Sequence, residues 1–201
     1  MTAGLHIQDL TAASDHSRRI RTRDTADIDA AVLHQMGFAR SGGPERFLRT
    51  KSHYIVLQDG RVAQLHRDQD YLYASNALNS RSIAIEFEGN MPSERGRFYK
   101  PERFGRHRVT MAQVSAGRRL LLHLRDVSGI RFVFAHRQGT NGHTNCCGPD
   151  LWFNVGQWAI ANGFSDGGVG FTMGDGLPIP NAWRNHGYMV FTLAEAEGVG
   201  P

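Results

Sequence analysis

Apolar residues recur along the chain at two different periods, and each period predicts its own kind of element. Over residues 82–88, Ile83, Ile85 and Phe87 face one way while Ala84, Glu86 and Glu88 face the other, which predicts a strand. Residues 130–136 alternate in the same manner, with Ile130, Phe132, Phe134 and His136 opposite Arg131, Val133 and Ala135, so a strand is expected to end at a histidine. Ala30-Ala31-Val32-Leu33-His34 is a compact apolar run that reads as a buried strand and also ends at a histidine. Asp59-Gly60 separates two β-type runs, 52–58 and 61–66, and predicts a hairpin whose favoured turn needs positive φ at both central positions. The period then becomes helical. Val114, Gly117, Leu120, Leu121 and Leu124 follow a capping box of Thr110 and Gln113 and run towards Gly129. Leu151, Val155, Trp158 and Ala159 mark a second helix, which Gly163 should stop. Strands, a helix, a strand and a helix in that order indicate an α/β domain with a mixed central sheet flanked by helices.

Outside these elements the chain is polar or glycine-rich. Residues 1–26 lack a sustained apolar period and are expected to form a tail or peripheral segment. The domain proper is expected over 27–163, with a long exposed loop across Gly89 to Arg108. Residues 164–201 read as a Gly-rich C-terminal extension packed on it. A length of 201 residues suits one domain. No apolar run approaches the roughly 20 residues that span a bilayer. The first 24 residues lack a basic segment followed by an apolar core, so a protein made in the cytoplasm without a secretory signal is expected, with a monomer as the default state.

Charge adds little, and the cysteines add more. The formal net charge is +4, carried almost wholly by arginine, since lysine occurs only at Lys51 and Lys100. Such a balance suits an anionic partner, an acidic cell-wall polymer or a nucleic acid, but the arginines are scattered and no nucleic-acid partner is expected. The two cysteines, Cys146 and Cys147, are neighbours and cannot staple distant loops, which leaves a metal or redox role or an ordinary buried thiol. Imidazole at a strand end and thiolate on the next loop are ligand types that a divalent zinc favours, and His34 closes a second strand in the way that His136 closes its own. Cys147 and His143 are competitors for the same role. A structural zinc site is the rival, and it would need a fourth protein ligand and leave no place for water.

These residues together resemble the zinc-dependent N-acetylmuramoyl-L-alanine amidases of type 2, a family that also includes phage lysins and the peptidoglycan recognition proteins. The resemblance covers about 30 to 162. It is carried by VLHQ at 32–35, SHYIVLQDGRVAQL at 52–65, NSRSIAIEFEG at 79–89, the Gln113 helix, AHRQ at 135–138 and NCCGPDLW at 145–152. It implies the fold of that family and hydrolysis of the amide between N-acetylmuramic acid and L-alanine in peptidoglycan or muropeptides. The same fold used as a non-catalytic peptidoglycan-binding module is the alternative. It implies Zn2+ on His34, His136 and Cys146, with an open position for water, and Glu86 as general base. Thr144 stands two residues before the third ligand, where its hydroxyl is expected to support the oxyanion. His53, Tyr54 and Asn79 are expected to touch substrate. Ser52-His53 replaces the family's usual Tyr-His, so a tyrosine contact is missing unless Tyr54 supplies it. Action on the wall after release or delivery, or on cytosolic muropeptides, follows from the same resemblance.

Overall fold

The computed structural model describes residues 4–92 and 107–187. Six strands, β1 (Ile7–Asp9), β3 (Ala30–Gln35), β4 (Tyr54–Val56), β5 (Val62–Gln64), β7 (Ser82–Phe87) and β8 (Phe132–Ala135), make one mixed sheet in the order β1-β5-β4-β7-β3-β8. The β4–β5 pair is antiparallel and the remaining pairs are parallel. A separate antiparallel ribbon joins β2 (Arg19–Thr22) to β6 (Asp70–Leu72). Residues 4–26 therefore supply an edge strand and half of this ribbon, with pairing partners that their weak apolar period did not announce.

The apolar run at 30–34 is the second-last strand of the sheet, hydrogen-bonded on both sides and buried along its whole length, which is why it shows no alternation. Helix α1 (Met111–Ser128) starts at the Thr110–Gln113 capping box and ends at Gly129 in the left-handed conformation. The second helical stretch comprises α2 (Pro149–Leu151), a π-type segment (Trp152–Gln157) and α3 (Trp158–Ala161), and Gly163 follows with φ +93°. A last short helix, α4, spans Asn181–Arg184. Leu120, Leu121 and Leu124 of α1 pack with Trp152 and Val155 against Leu33, Ile83, Ile85, Phe87, Val133 and Ala135, forming the main core on one face of the sheet. Loops and short 3-10 turns cover the opposite face through two smaller clusters, one around Ile55 and Leu65 and one around Val32 and Phe134.

The hairpin forms, but its turn differs from the expected one. Gly60 has φ +85° while Asp59 does not adopt positive φ, and the Gly60 N–H donates to the Leu57 carbonyl at 2.9 Å. The loop is one residue longer than a two-residue turn, so one left-handed position is enough. Of the loop expected over Gly89 to Arg108, residues 93–106 lie outside the described residues, as do 188–201 of the extension. Residues 164–187 pack back on the sheet. Phe171 and Met173 join the Val32–Phe134 cluster, and the Met173 and Leu177 N–H groups donate to the carbonyls of Gln138 and Arg137.

Helix α1 approaches the sheet at Gly117, where an added Cβ would stand 2.6 Å from the Phe87 ring. Gly117→Ala is expected to lower the unfolding free energy by about 1–3 kcal/mol, because overpacking outweighs the gain in helix propensity. Urea unfolding checks this, and an unchanged or raised midpoint would show that Phe87 yields without cost.

Candidate metal centre and active site

The parallel register of β3 and β7 sets His34 directly beside Glu86. Leu33 pairs with Ala135, the last residue of β8, so His136 follows at the same end of the sheet. A 3-10 turn (Asn141–His143) then returns the chain so that Cys146 meets the two histidines. Ligand atoms of His34, His136 and Cys146 lie within 4.8 Å of one another, and all three side chains are buried. Side-chain movements of about an ångström would bring them to bonding distance of one ion. Among the described residues this is the one group of three metal-capable side chains so gathered. Cys147 is buried but stands outside the group, its Sγ turned to the Gly148 carbonyl at 3.9 Å. His143 is also outside it and stacks on the His136 ring, centroids 4.2 Å apart.

The donor set suits a divalent cation. His136 Nε2–H donates to Asn76 Oδ1 at 2.7 Å, which leaves the lone pair on Nδ1. His34 Nε2 lies 3.0 Å from Ser75 Oγ, a hydroxyl able to donate or accept. Burial, reinforced by the neighbouring imidazoles, holds His34 down to about 3 and His136 well below its usual value, so both stay in the neutral form that ligates metal. Burial, with Glu86 and Cys147 nearby, pushes the Cys146 thiol well up, although the Gln35 N–H donates to its sulfur at 3.4 Å. Burial alone raises Glu86 to about 8, and its Oε2 is buried without a hydrogen-bond partner. A cation placed among these groups would turn each of these desolvation costs into an attraction.

The cluster forms the floor of a cavity of about 280 Å3, whose wall adds Met36, Lys51, Tyr73 and His143. Three expected substrate contacts, His53, Tyr54 and Asn79, stand outside the lining of this cavity, and each has hydrogen-bond partners within the fold. His53 is buried, accepting from the Ala84 N–H and donating to the Asp70 carbonyl, each at 2.9 Å. The Tyr54 hydroxyl donates to Asp68 at 2.8 Å. Asn79 Oδ1 accepts from the Ala74 and Ser75 N–H groups and thereby shapes the loop that carries Ser75 and Asn76. Thr144 is absent from the cavity wall, and its Oγ1 is buried with no hydrogen-bond partner.

Several residues of the site had no role in the sequence reading. Ser75 and Asn76 orient the histidines, and Asn76 does so from a left-handed backbone, φ +54°, that asparagine tolerates better than most residues. Gly139 admits their loop, since an added Cβ would stand 2.6 Å from the Ser75 carbonyl. Gln35 ties the cysteine loop to β3, donating from Nε2 to the Asn145 carbonyl at 3.3 Å and accepting at Oε1 from the Met91 N–H at 2.8 Å. Their sequence signal was proximity to His34, to His136 or to the glutamate strand.

A family model described as N-acetylmuramoyl-L-alanine amidase matches residues 11–149. Among solved structures, the chain is similar to the N-acetylmuramoyl-L-alanine amidase LysC from Clostridium intestinale URNW, with a TM-score of 0.58 and 14% identity over 78% of this chain and 97% of that one. It is similar to the Ph2119 endolysin from the Thermus scotoductus MAT2119 bacteriophage, with a TM-score of 0.54 and 18% identity over 80% and 100% of the two chains. It is also similar to PGRP-SA from Apis mellifera, with a TM-score of 0.55 and 13% identity over 76% and 96%. At these identities the likenesses establish the fold. Against curated protein sequences the chain finds no match.

Two measurements test this geometry. Asn76→Gly keeps the positive φ and removes the amide, and is expected to weaken zinc binding about 10–100-fold in competition with a chromophoric chelator; unchanged affinity would mean that the bond to His136 does not orient it. His53, held down to about 3 by burial and by Arg23, binds a proton in the unfolded chain below its usual 6.5 but not in the fold. Stability is therefore expected to fall as pH drops from 6.5 towards 3, by about 1.4 kcal/mol per pH unit for this group. Urea unfolding across that window reads the slope, and a flat profile would contradict the neutral buried imidazole.

Proposed function

The chain belongs to the N-acetylmuramoyl-L-alanine amidase family, and on that premise we propose that it hydrolyses the amide joining the lactyl group of N-acetylmuramic acid to L-alanine in peptidoglycan or muropeptides. The observation that supports catalysis is the buried, unpartnered Glu86 Oε2 beside three convergent ligands at the floor of an open cavity. A zinc ion on His34, His136 and Cys146 would supply Lewis acidity towards the amide carbonyl and make a water nucleophilic near neutral pH. Glu86 takes the proton of the attacking water at its carboxylate and delivers it to the departing L-alanine nitrogen, so one carboxyl serves both halves of the hydrolysis. Its burial favours the protonated form needed for the second half, while a nearby cation favours the ionised form needed for the first. The Thr144 hydroxyl is the side-chain donor proposed for the oxyanion, a weaker contribution than an ammonium group would make. No helix among the described residues is long and apolar enough to cross a membrane.

Purified sacculi incubated with the zinc-loaded protein are expected to release new amino termini on peptides that begin with L-alanine. Chelation and Cys146→Ser should each abolish release. Glu86→Gln should lower kcat by about 10²–10⁴-fold while zinc content stays unchanged. A zinc-loaded protein that binds sacculi and releases nothing would make this chain a binding module of the same fold.

A further inference from the structure

Two side chains in the cavity wall are left unused by the chemistry above, and both face solvent. Tyr73 is 60% exposed, the most open of the phenylalanine, tyrosine and tryptophan rings among the described residues. It follows directly on β6, and its ring packs edge-on against Tyr71, centroids 5.7 Å apart at 89°. Tyr71 is in turn the register partner of Arg21 across the ribbon, and the Arg21 guanidinium lies over its ring at 4.9 Å. This stack gives Tyr73 a fixed, solvent-facing surface at the cavity mouth. Lys51 is exposed in the same wall, is one of only two lysines in the chain, and has no carboxylate partner among the described residues.

We infer that Tyr73 and Lys51 form the recognition rim of the cavity, with Tyr73 stacking on a saccharide ring of the substrate and Lys51 pairing with a carboxylate of the attached peptide. The inference rests on the amidase reading of the same site. A pyranose ring presents an apolar C–H face that an aromatic ring can cover, and peptides linked to muramic acid carry free carboxylates. The cavity's own carboxyl, Glu86, is half-buried in its lining with Oε2 out of solvent, so a substrate carboxylate at the mouth meets the exposed lysine first. The β2–β6 ribbon thereby gains a task. It lies outside the main sheet, and its Arg21–Tyr71 pair holds the Tyr73 ring where the cavity opens.

Three synthetic ligands separate the two contacts: a disaccharide-peptide, the same peptide on a lactyl group without sugar, and the disaccharide-peptide with its carboxylates amidated. Affinity is read by calorimetry on the zinc-loaded Glu86→Gln protein, and KM and kcat on the chain with Glu86 intact. Tyr73→Ala is expected to raise Kd and KM about five- to tenfold for the sugar-bearing ligands and leave the sugarless one unchanged, with Tyr73→Trp restoring the loss. Lys51→Gln should raise both about five- to tenfold for ligands with free carboxylates only, with Lys51→Arg restoring it. In each case kcat should stay within about twofold. Equal losses on all three ligands, or no losses, would overturn the inference even if hydrolysis proceeds normally. The expected selective losses in binding, with no ligand hydrolysed, would uphold the rim and sink the amidase reading instead.

Discussion

The site depends first on the parallel pairing of β3 with β7. In-register parallel strands place paired side chains on one face, so His34 and Glu86 stand side by side without any loop to position them. Pairing of β3 with β8 then ends one residue before His136, which puts both imidazoles at one end of the sheet, ring centroids 4.4 Å apart. A slip of one residue in either ladder would turn Glu86 or His34 to the helix-covered face. The leucines and isoleucines that fill that face are thus what hold the chemistry in place, since moving them to the other side would forfeit the main core.

Around this frame a layer of polar residues fixes what the strands leave free. Asn79 shapes the loop, the loop presents Ser75 and Asn76, and those two set the rings of His34 and His136. Gln35, next in sequence to His34, holds the cysteine loop from the other side. The C-terminal segment closes over the His136–Gly139 turn with backbone bonds to Arg137 and Gln138, while the Arg137 guanidinium lies 4.8 Å over the Trp183 ring. Buried polar groups in such number are stable because most of them are satisfied, and their satisfaction is also what makes the arrangement unique.

The strands that carry the candidate ligands, and the helix packed on them, were legible in the sequence because their signals are local. Period-two alternation marks β7, an unbroken apolar run marks β3, and a capping box with a terminal glycine brackets α1. His34 and His136 were legible because each follows or closes an apolar strand, and Cys146 because NCCGPDLW resembles the family's third-ligand segment. The strands of residues 4–26 were not, because their pairing partners lie some 50 residues away and only three or four residues of each strand are engaged. His53, Tyr54 and Asn79 were expected as contacts from the resemblance of their segments to the family's hairpin and glutamate strand. Only the three-dimensional structure shows that their hydrogen bonds are already taken by Ala84, Asp68, Asp70, Ala74 and Ser75. Tyr73 and Lys51 escaped for the opposite reason, since no short-range pattern distinguishes an exposed loop residue at a cavity mouth from one elsewhere.

The wide spacing of the three ligands also bears on how the chain comes to work at all. His34 belongs to a strand formed early in the sequence, whereas His136 and Cys146 arrive only with the eighth strand and the turn behind it. Closing so long a loop is entropically costly, and the packing of the intervening β7 and α1 in the same core offsets that cost. A chain emerging from the ribosome therefore cannot assemble this trio before residue 146 is free to fold. The metal chemistry proposed for the trio is therefore out of reach through most of synthesis, a delay set by chain order alone.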